Sequence, residues 1–301
     1  MDDNNAAAAD QSSVSNTSRV VDFTTPLDLR SLNGKSVLIT GGAVGLGKAF
    51  AEAFAKAGVI FVQADVTDWD ASVAAFKAAI QFSPHKAIDI VVPNAGLTAH
   101  SLLMELKNTK PSLEVDPERP PINTIEVDLI GVYYTAKLAL HYFGLPPSEN
   151  APKGKKQIVF ISSLGGYLEL SGLADYMASK FGVRGLWKAL RSSITTLGIQ
   201  TNLIAPTFMR TPMTKAIAAD LEAKGVRFGR IEDAVDAMMR LASDDRIDGR
   251  AIAVGTGGSF DLRDDFDGMD AGFEIREYCK RETRSAQMAA VLRASHIKPE
   301  E

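Results

Sequence analysis

The residues of this 301-residue chain best suited to chemistry are Tyr176 and Lys180, in the run YMASK. Four apart on a helix, they share one face. An ammonium beside a phenol favours the phenolate and lowers the tyrosine pKa, so the phenol can take or give a proton near neutral pH. The spacing alone is weak, because Tyr133 and Lys137 repeat it. What separates the pairs lies upstream. Thirteen residues before Tyr176 stands Ser163, closing the apolar run QIVFISS; thirteen before Tyr133 stands Pro120, in a proline-rich, charged segment. Only the first pair has a hydroxyl delivered to the C-terminal edge of a sheet, where α/β ligands bind.

A second constellation is T-G-G-A-V-G-L-G, Thr40 to Gly47, between the apolar run SVLIT and a helical stretch. Gly41, Gly45 and Gly47 suit a tight strand-to-helix turn, with Val44 and Leu46 between them. Such a turn lets backbone approach a pyrophosphate at a helix N-terminus, where free N–H groups and the positive dipole end favour an anion. The turn lacks the Lys-Ser/Thr of an ATPase loop.

The elements that must hold these groups follow from hydrophobic period. Strands are expected at Ser36–Thr40, Val59–Asp65, Ala87–Gly96, Lys156–Ser163, Ile199–Pro206 and Asp248–Gly258. Helices are expected at Leu46–Gly58, Trp69–Phe82, Thr124–Phe143 and Ala174–Ile194. Alternating strands and helices, with near-continuous apolar strands, predict an α/β fold: a doubly wound parallel sheet covered on both faces. Residues 1–30 read as a flexible arm, 31–262 as a single Rossmann-like domain, and 263–301 as a charged extension with weak helical character from Phe273 to Ser295. The proline-rich stretch Leu97–Asn123 reads as a long surface loop.

Composition narrows the class. With 46% hydrophobic residues, the chain can bury a large core. Lys and Arg number 33 against 37 Asp and Glu, which argues against a nucleic-acid partner. Cys279 is the sole cysteine, so no internal disulfide forms, and no Cys/His spacing suits a metal. No apolar run reaches the ~18 residues of a membrane span. The opening MDDNNAAAADQSS is not a secretory leader. The expectation is a cytoplasmic protein.

TGGAVGLG, PNAG (Pro93–Gly96), ISS ending at Ser163, YMASK and APTFMRTPM (Ala205–Met213) resemble, in order and spacing, the short-chain dehydrogenase/reductase family, across Leu32 to Leu262. VYYTAKLALHYF is loosely similar to fungal members akin to hydroxyprostaglandin dehydrogenases. The resemblance implies an NAD(P)-dependent enzyme interconverting a secondary alcohol and a ketone. It implies Tyr176 as proton donor and acceptor, Lys180 lowering its pKa and binding the nicotinamide ribose, and Ser163 orienting the substrate oxygen. Gly41, Val44, Gly45, Leu46 and Gly47 would take the pyrophosphate. Asn94, with Ala95 and Gly96, would line the adenosine side. Asp65 and Val66 would meet the adenine, and Met209 and Thr211 the carboxamide. Lys137 is a further cofactor candidate, weighed against an ordinary solvated lysine. Phe208, Met209, Met213 and the segment 215–225 fall where the family puts its substrate lid, and their apolar character suggests a hydrophobic small-molecule substrate. Family members assemble as homodimers or homotetramers through the two long helices.

Three departures stand out. Only 17 residues, Lys48 to Ala64, separate Gly47 from Asp65, which leaves the domain short by about one strand and one helix. The missing part is where the residue choosing between NAD and NADP belongs; Val44 offers a 2′-phosphate no cation, a lean to NAD. Asp128 stands where the family has Asn, and Thr207 where it has Gly. The gap keeps open an alternative: a catalytically impaired relative that acts by binding.

Overall fold

The computed structural model describes residues 20–55, 60–98, 110–146 and 148–264, with Ser192 described by its backbone alone. The sheet follows chain order: β1 (Val37–Ile39), β2 (Ile90–Val92), β3 (Lys156–Ile161), β4 (Ile199–Pro206), β5 (Ala251–Gly255) and β6 (Gly258–Asp261). The first five run parallel; β6 returns antiparallel through a tight hairpin at Thr256-Gly257. The Gly-Thr-Gly-Gly run there is the two-residue hairpin signal that distinguishes β6 from a longer single strand.

Strand residues alternate between two cores. On one face Val91, Ile158, Phe160, Leu203 and Ala205 pack with Phe76, Val132, Ala136, Val183 and Trp187. These come from α2 (Trp69–Phe82), α4 (Val132–Phe143) and α5 (Ala174–Ser193). On the other, Ile90, Val92, Val159, Ile161, Ile204, Ile252 and Val254 meet Phe50 and Met238. These lie on α1 (Gly45–Phe54) and α7 (Ile231–Ser243). The α7 helix is absent from the expectations above, although Glu232 and Asp233 in its first turn and apolar residues at 231, 234, 235, 238 and 241 mark it. The short α3 (Asn123–Ile125) runs through a π-helical turn, Glu126–Gly131, into α4. Of the remaining helices, α6 (Ala218–Ala223) is a short piece ahead of α7.

The strand expected at Val59–Asp65 does not form: residues 60–65 have no regular structure and are exposed, Phe61 at 74%. The segment is anchored elsewhere. A Cβ on Gly131 would sit 2.7 Å from the Val66 side chain, so Val66 seats the start of α2 against the end of the π turn. Residues 60–65 lead into that anchor and do not pair with β1. Among the described residues the sheet therefore ends at β1, whose residues are only partly buried while β2 is wholly buried. Among the described residues, the strand expected at Val59–Asp65 is absent from the sheet.

The arm expected over 1–30 is docked from Val21 onward. Val21 is buried and its N–H donates to Asp261, while Arg240 donates to the carbonyls of Asp22 and Thr25 and lies over the Phe23 ring. The other end of the domain is fastened by Asp264. Its buried carboxylate accepts from the Tyr167 hydroxyl at 2.8 Å, Arg184 at 2.9 Å and Lys188 at 2.9 Å. The helix expected at Phe273–Ser295, and Cys279, lie outside the described residues.

Burial works against the Asp264 carboxylate, but the hydrogen bonds from Arg184 and Lys188 outweigh it and hold the pKa below its usual value. Its contribution is full above about pH 4, the unfolded carboxylate's range, and is lost as the pH falls through the depressed folded pKa. Asp264→Asn is expected to destabilise the fold by about 3 kcal/mol at neutral pH in urea unfolding, with the gap to wild type narrowing below about pH 4. A gap that stays constant across that range would contradict the assignment.

Candidate active site

The glycine turn sits at the C-terminal end of β1 and opens α1. Val44 is its N-cap, with an extended backbone and no side-chain capping bond, and is 57% exposed. The first turn of α1 is thus uncapped by any side chain. Close packing makes the turn. A Cβ on Gly47 would lie 2.3 Å from the Gly41 carbonyl oxygen and 2.4 Å from Asn94 Nδ2. Gly41 itself has φ +66°, in the left-handed region. Asn94 Nδ2 donates to the carbonyls of Thr40 and Gly41, while Thr40 Oγ1 accepts from the N–H groups of Asn94 and Ala95. The PNAG segment after β2 therefore braces the turn. On its outer side the turn meets Thr211: a Cβ on Gly45 would lie 3.4 Å from Thr211 Cβ. Met209 is buried close by in sequence, its carbonyl accepting from Thr214 Oγ1.

Ser163 follows β3. Its Oγ accepts from Gly165 N at 3.0 Å and donates to the Pro206 carbonyl at 3.4 Å, which ties the ends of β3 and β4 together. The point where a Cβ on Gly165 would sit is 3.3 Å from the Tyr176 ring and 3.4 Å from Ser163 Oγ, so the two side chains converge there. Close approach continues at Gly166, where a Cβ would meet the Lys180 carbonyl at 2.8 Å; that glycine lets the turn after Ser163 lie against α5. Ser162 Oγ donates to the same carbonyl.

Lys180 is buried, with its ammonium 5.4 Å from the Tyr176 ring centroid and 3.1 Å from Asp128 Oδ2. Asp128 is wholly buried in the π turn, and its other oxygen accepts from Leu97 N at 2.7 Å. Burial pushes the Asp128 carboxyl up, opposed by Lys180 and the Leu97 N–H. Burial pulls Lys180 down, but Asp128, with Tyr176, outweighs it and holds the ammonium above its ordinary value.

Ser163, Tyr176, Lys180, the glycine turn, Asn94, Ala95, Gly96, Met209 and Thr211 thus all lie along the C-terminal edge of β1 to β4 or on the helices that follow it. Three expected residues behave otherwise. Asp65 is exposed and accepts from the Thr67 N–H and hydroxyl, a local turn. Val66 is turned onto Gly131. Lys137, on α4, is exposed to solvent. The signal for the Asp128–Lys180 contact in the sequence was an Asp where the family has Asn, a carboxylate able to attract Lys180.

A parallel sheet with a glycine turn at its switch edge and a Tyr-Lys pair beside a serine defines a nucleotide-binding α/β oxidoreductase. The short chain dehydrogenase family model matches residues 57–222. The chain is 36% identical to 5′-hydroxyaverantin dehydrogenase of Dothistroma septosporum, over 85% of this chain and 96% of that protein. It is 39% identical to 5′-hydroxyaverantin dehydrogenase stcG of Emericella nidulans, over 84% and 95%. Among solved structures it resembles a 3-ketoacyl-(acyl-carrier-protein) reductase from Brucella melitensis complexed with NADH, at 26% identity and TM-score 0.61, covering 75% of this chain and 98% of that one. This chain belongs to the short-chain dehydrogenase/reductase family, and it is an NAD(P)-dependent oxidoreductase acting on the CH–OH group of a small molecule. Nothing in these likenesses favours a purely binding role. The alignment with the Dothistroma protein is 294 residues long, more than 85% of a 301-residue chain can fill, so that relative has residues with no counterpart here.

The residues present suit the pyrophosphate and nicotinamide half of the cofactor: a glycine turn packed so closely on Asn94 that Gly47 has no room for a Cβ, opening a helix with no side-chain N-cap. Gly47→Ala is expected to force the turn apart from Asn94 and to abolish the rise in Tm that millimolar NAD or NADP gives the wild-type chain. An undiminished rise would contradict this reading of the turn.

Proposed function

We propose that Tyr176 exchanges the proton with the substrate oxygen, that Lys180 supports its charge, and that Ser163 orients the substrate oxygen by hydrogen bonding. The carrying observation is the convergence of Ser163 and Tyr176 around Gly165, with the buried Lys180 ammonium behind the phenol ring. In oxidation, the alcohol hydroxyl gives its proton to the Tyr176 phenolate oxygen; in reduction, the phenol returns a proton to the ketone oxygen. NAD or NADP, when bound, supplies the hydride chemistry. Gly41, Val44, Gly45, Leu46 and Gly47 would take the pyrophosphate through backbone N–H groups. Asn94, Ala95 and Gly96 would wall the cofactor cleft, and Met209 and Thr211, beside Gly45, would take the carboxamide. Asp65 and Val66 would meet the adenine from the segment ahead of α2, and Lys137, which is exposed, is read as an ordinary solvated lysine.

The substrate we infer is an apolar secondary alcohol of the 5′-hydroxyaverantin kind. The identity to two 5′-hydroxyaverantin dehydrogenases supports it, as do Met213 and Ile217, 43% and 44% exposed beside Thr211 and Thr214. NAD is the inferred cofactor. The turn from Thr40 to Gly47 carries no cation, and Lys48 is paired with Glu52. The inferred assembly is a homo-oligomer in the cytoplasm, built on the two long helices, where Ile130, Tyr133 and Phe181 are exposed. No described helix is long and apolar enough to cross a membrane.

Turnover of 5′-hydroxyaverantin followed by NADH fluorescence tests the reading. Wild type is expected to turn over faster with NAD than with NADP. Tyr176→Phe is expected to lose at least about 100-fold in kcat while keeping the cofactor-induced Tm rise. Activity retained in that variant would rule out the proton-transfer role. Light scattering is expected to give a mass of two or four chains; a monomer would contradict the helix interface.

A further inference from the structure

The carboxylate at Asp128 is the feature of the site that the proton-transfer scheme leaves unused. It is fully buried and held from two sides, by the Leu97 N–H at 2.7 Å and by Lys180 Nζ at 3.1 Å. It sits in a π-helical turn, an irregularity concentrated at functional sites. A helix without that turn would carry residue 128 on a different bearing.

We propose that Asp128 is a positioning residue that sets the pH at which the Tyr176–Lys180 pair gives up its proton. The proposal rests on the assignment of Tyr176 above. A lone ammonium beside a phenol draws off the phenolic proton. Here the ammonium is already matched by a carboxylate 3.1 Å away, in surroundings where water screens little. The pair Tyr176–Lys180 then holds both protons to a higher pH than it would against a neutral amide. The charged and titratable groups around Asp128 are few among the described residues. From α5 come Asp175, Tyr176 and Lys180, and from its own turn the exposed Glu126; the loop after β2 contributes only the Leu97 backbone N–H. The Asp175 carboxylate, which accepts from the Tyr176 N–H, also pushes the Asp128 carboxyl up as a like charge. It stays in place when Asp128 is changed.

The sign follows from charge alone. Removing an anion next to a protonated pair lowers the pH at which the first proton leaves, whether it leaves from the phenol or from the ammonium. Asp128→Asn keeps the shape and an acceptor for the Leu97 N–H. In that variant the acid limb of kcat/KM for alcohol oxidation is expected to move down by about one pH unit or more. A profile that superimposes on wild type overturns the proposal, and Asp128 is then only a structural tie. The outcomes separate cleanly from those of the parent reading, since a Tyr176→Phe enzyme that stays active removes the reading itself, whatever Asp128 does. Should Asp128→Asn fail to fold, Asp128→Ser decides by the same readout: an acid limb moved down supports the proposal, and one that superimposes on wild type overturns it.

Discussion

The buried contact between Asp128 and Lys180 is the constraint around which the site is assembled. It joins three pieces that no backbone ladder connects: the loop leaving β2, the π turn ahead of α4, and the middle of α5. Buried ions are expensive to desolvate and hold only when each has a partner and satisfied hydrogen bonds. Lys180 reaches Asp128, Asp128 reaches Leu97, and the backbone carbonyl of Lys180 is taken by Ser162. The register of α5 against the sheet is therefore fixed at the residue that also stands behind Tyr176. Shifting the helix by one residue would break the ion pair and turn the phenol from Ser163 in the same step.

A second constraint comes from the sheet. Five parallel strands sandwiched between two helical layers give the site its floor, and the alternation of Val91 against Ile90 and Val92, or Phe160 against Val159 and Ile161, commits each strand to both cores. That order stops at β1. The glycine turn leaves the outermost strand, and Ile60 to Ala64 pass outside the sheet with Phe61 in solvent. Ser163, Tyr176 and Lys180 lie among β3, β4 and α5, whereas the glycine turn follows β1, the outermost strand among the described residues.

Much of this was legible in the residues. Tyr176, Lys180 and Ser163 could be read because their spacing implies a shared helix face and a strand end, and local periodicity carries both facts. The glycine turn was legible because few side chains tolerate its geometry. Where the reading fell short, the cause lies in distant contacts. Val59–Asp65 has the apolar texture of a strand, but forming one depends on a neighbour, and Val66 is committed to Gly131, 65 residues on in sequence. The docking of residues 21–25 is likewise non-local: Asp261 and Arg240 supply it from the far end of the chain. Lys137 copies the spacing of Lys180 and lands on an outward face, because spacing fixes relations within a helix and says nothing of which face turns inward. The missed α7 is a different case, since its period was present in the sequence.

The central claim, that a carboxylate holds the Lys180 ammonium charged inside the protein, can be measured on that nitrogen directly. Nitrogen-15 NMR of the lysine side chains, with Lys180 assigned by its absence in Lys180→Arg, follows the amine through a pH titration of the ligand-free chain. The account predicts that Lys180 remains an ammonium past 10.5, the ordinary value for lysine. A Lys180 resonance that loses its proton near neutral pH, as burial without a counter-charge would require, would contradict it.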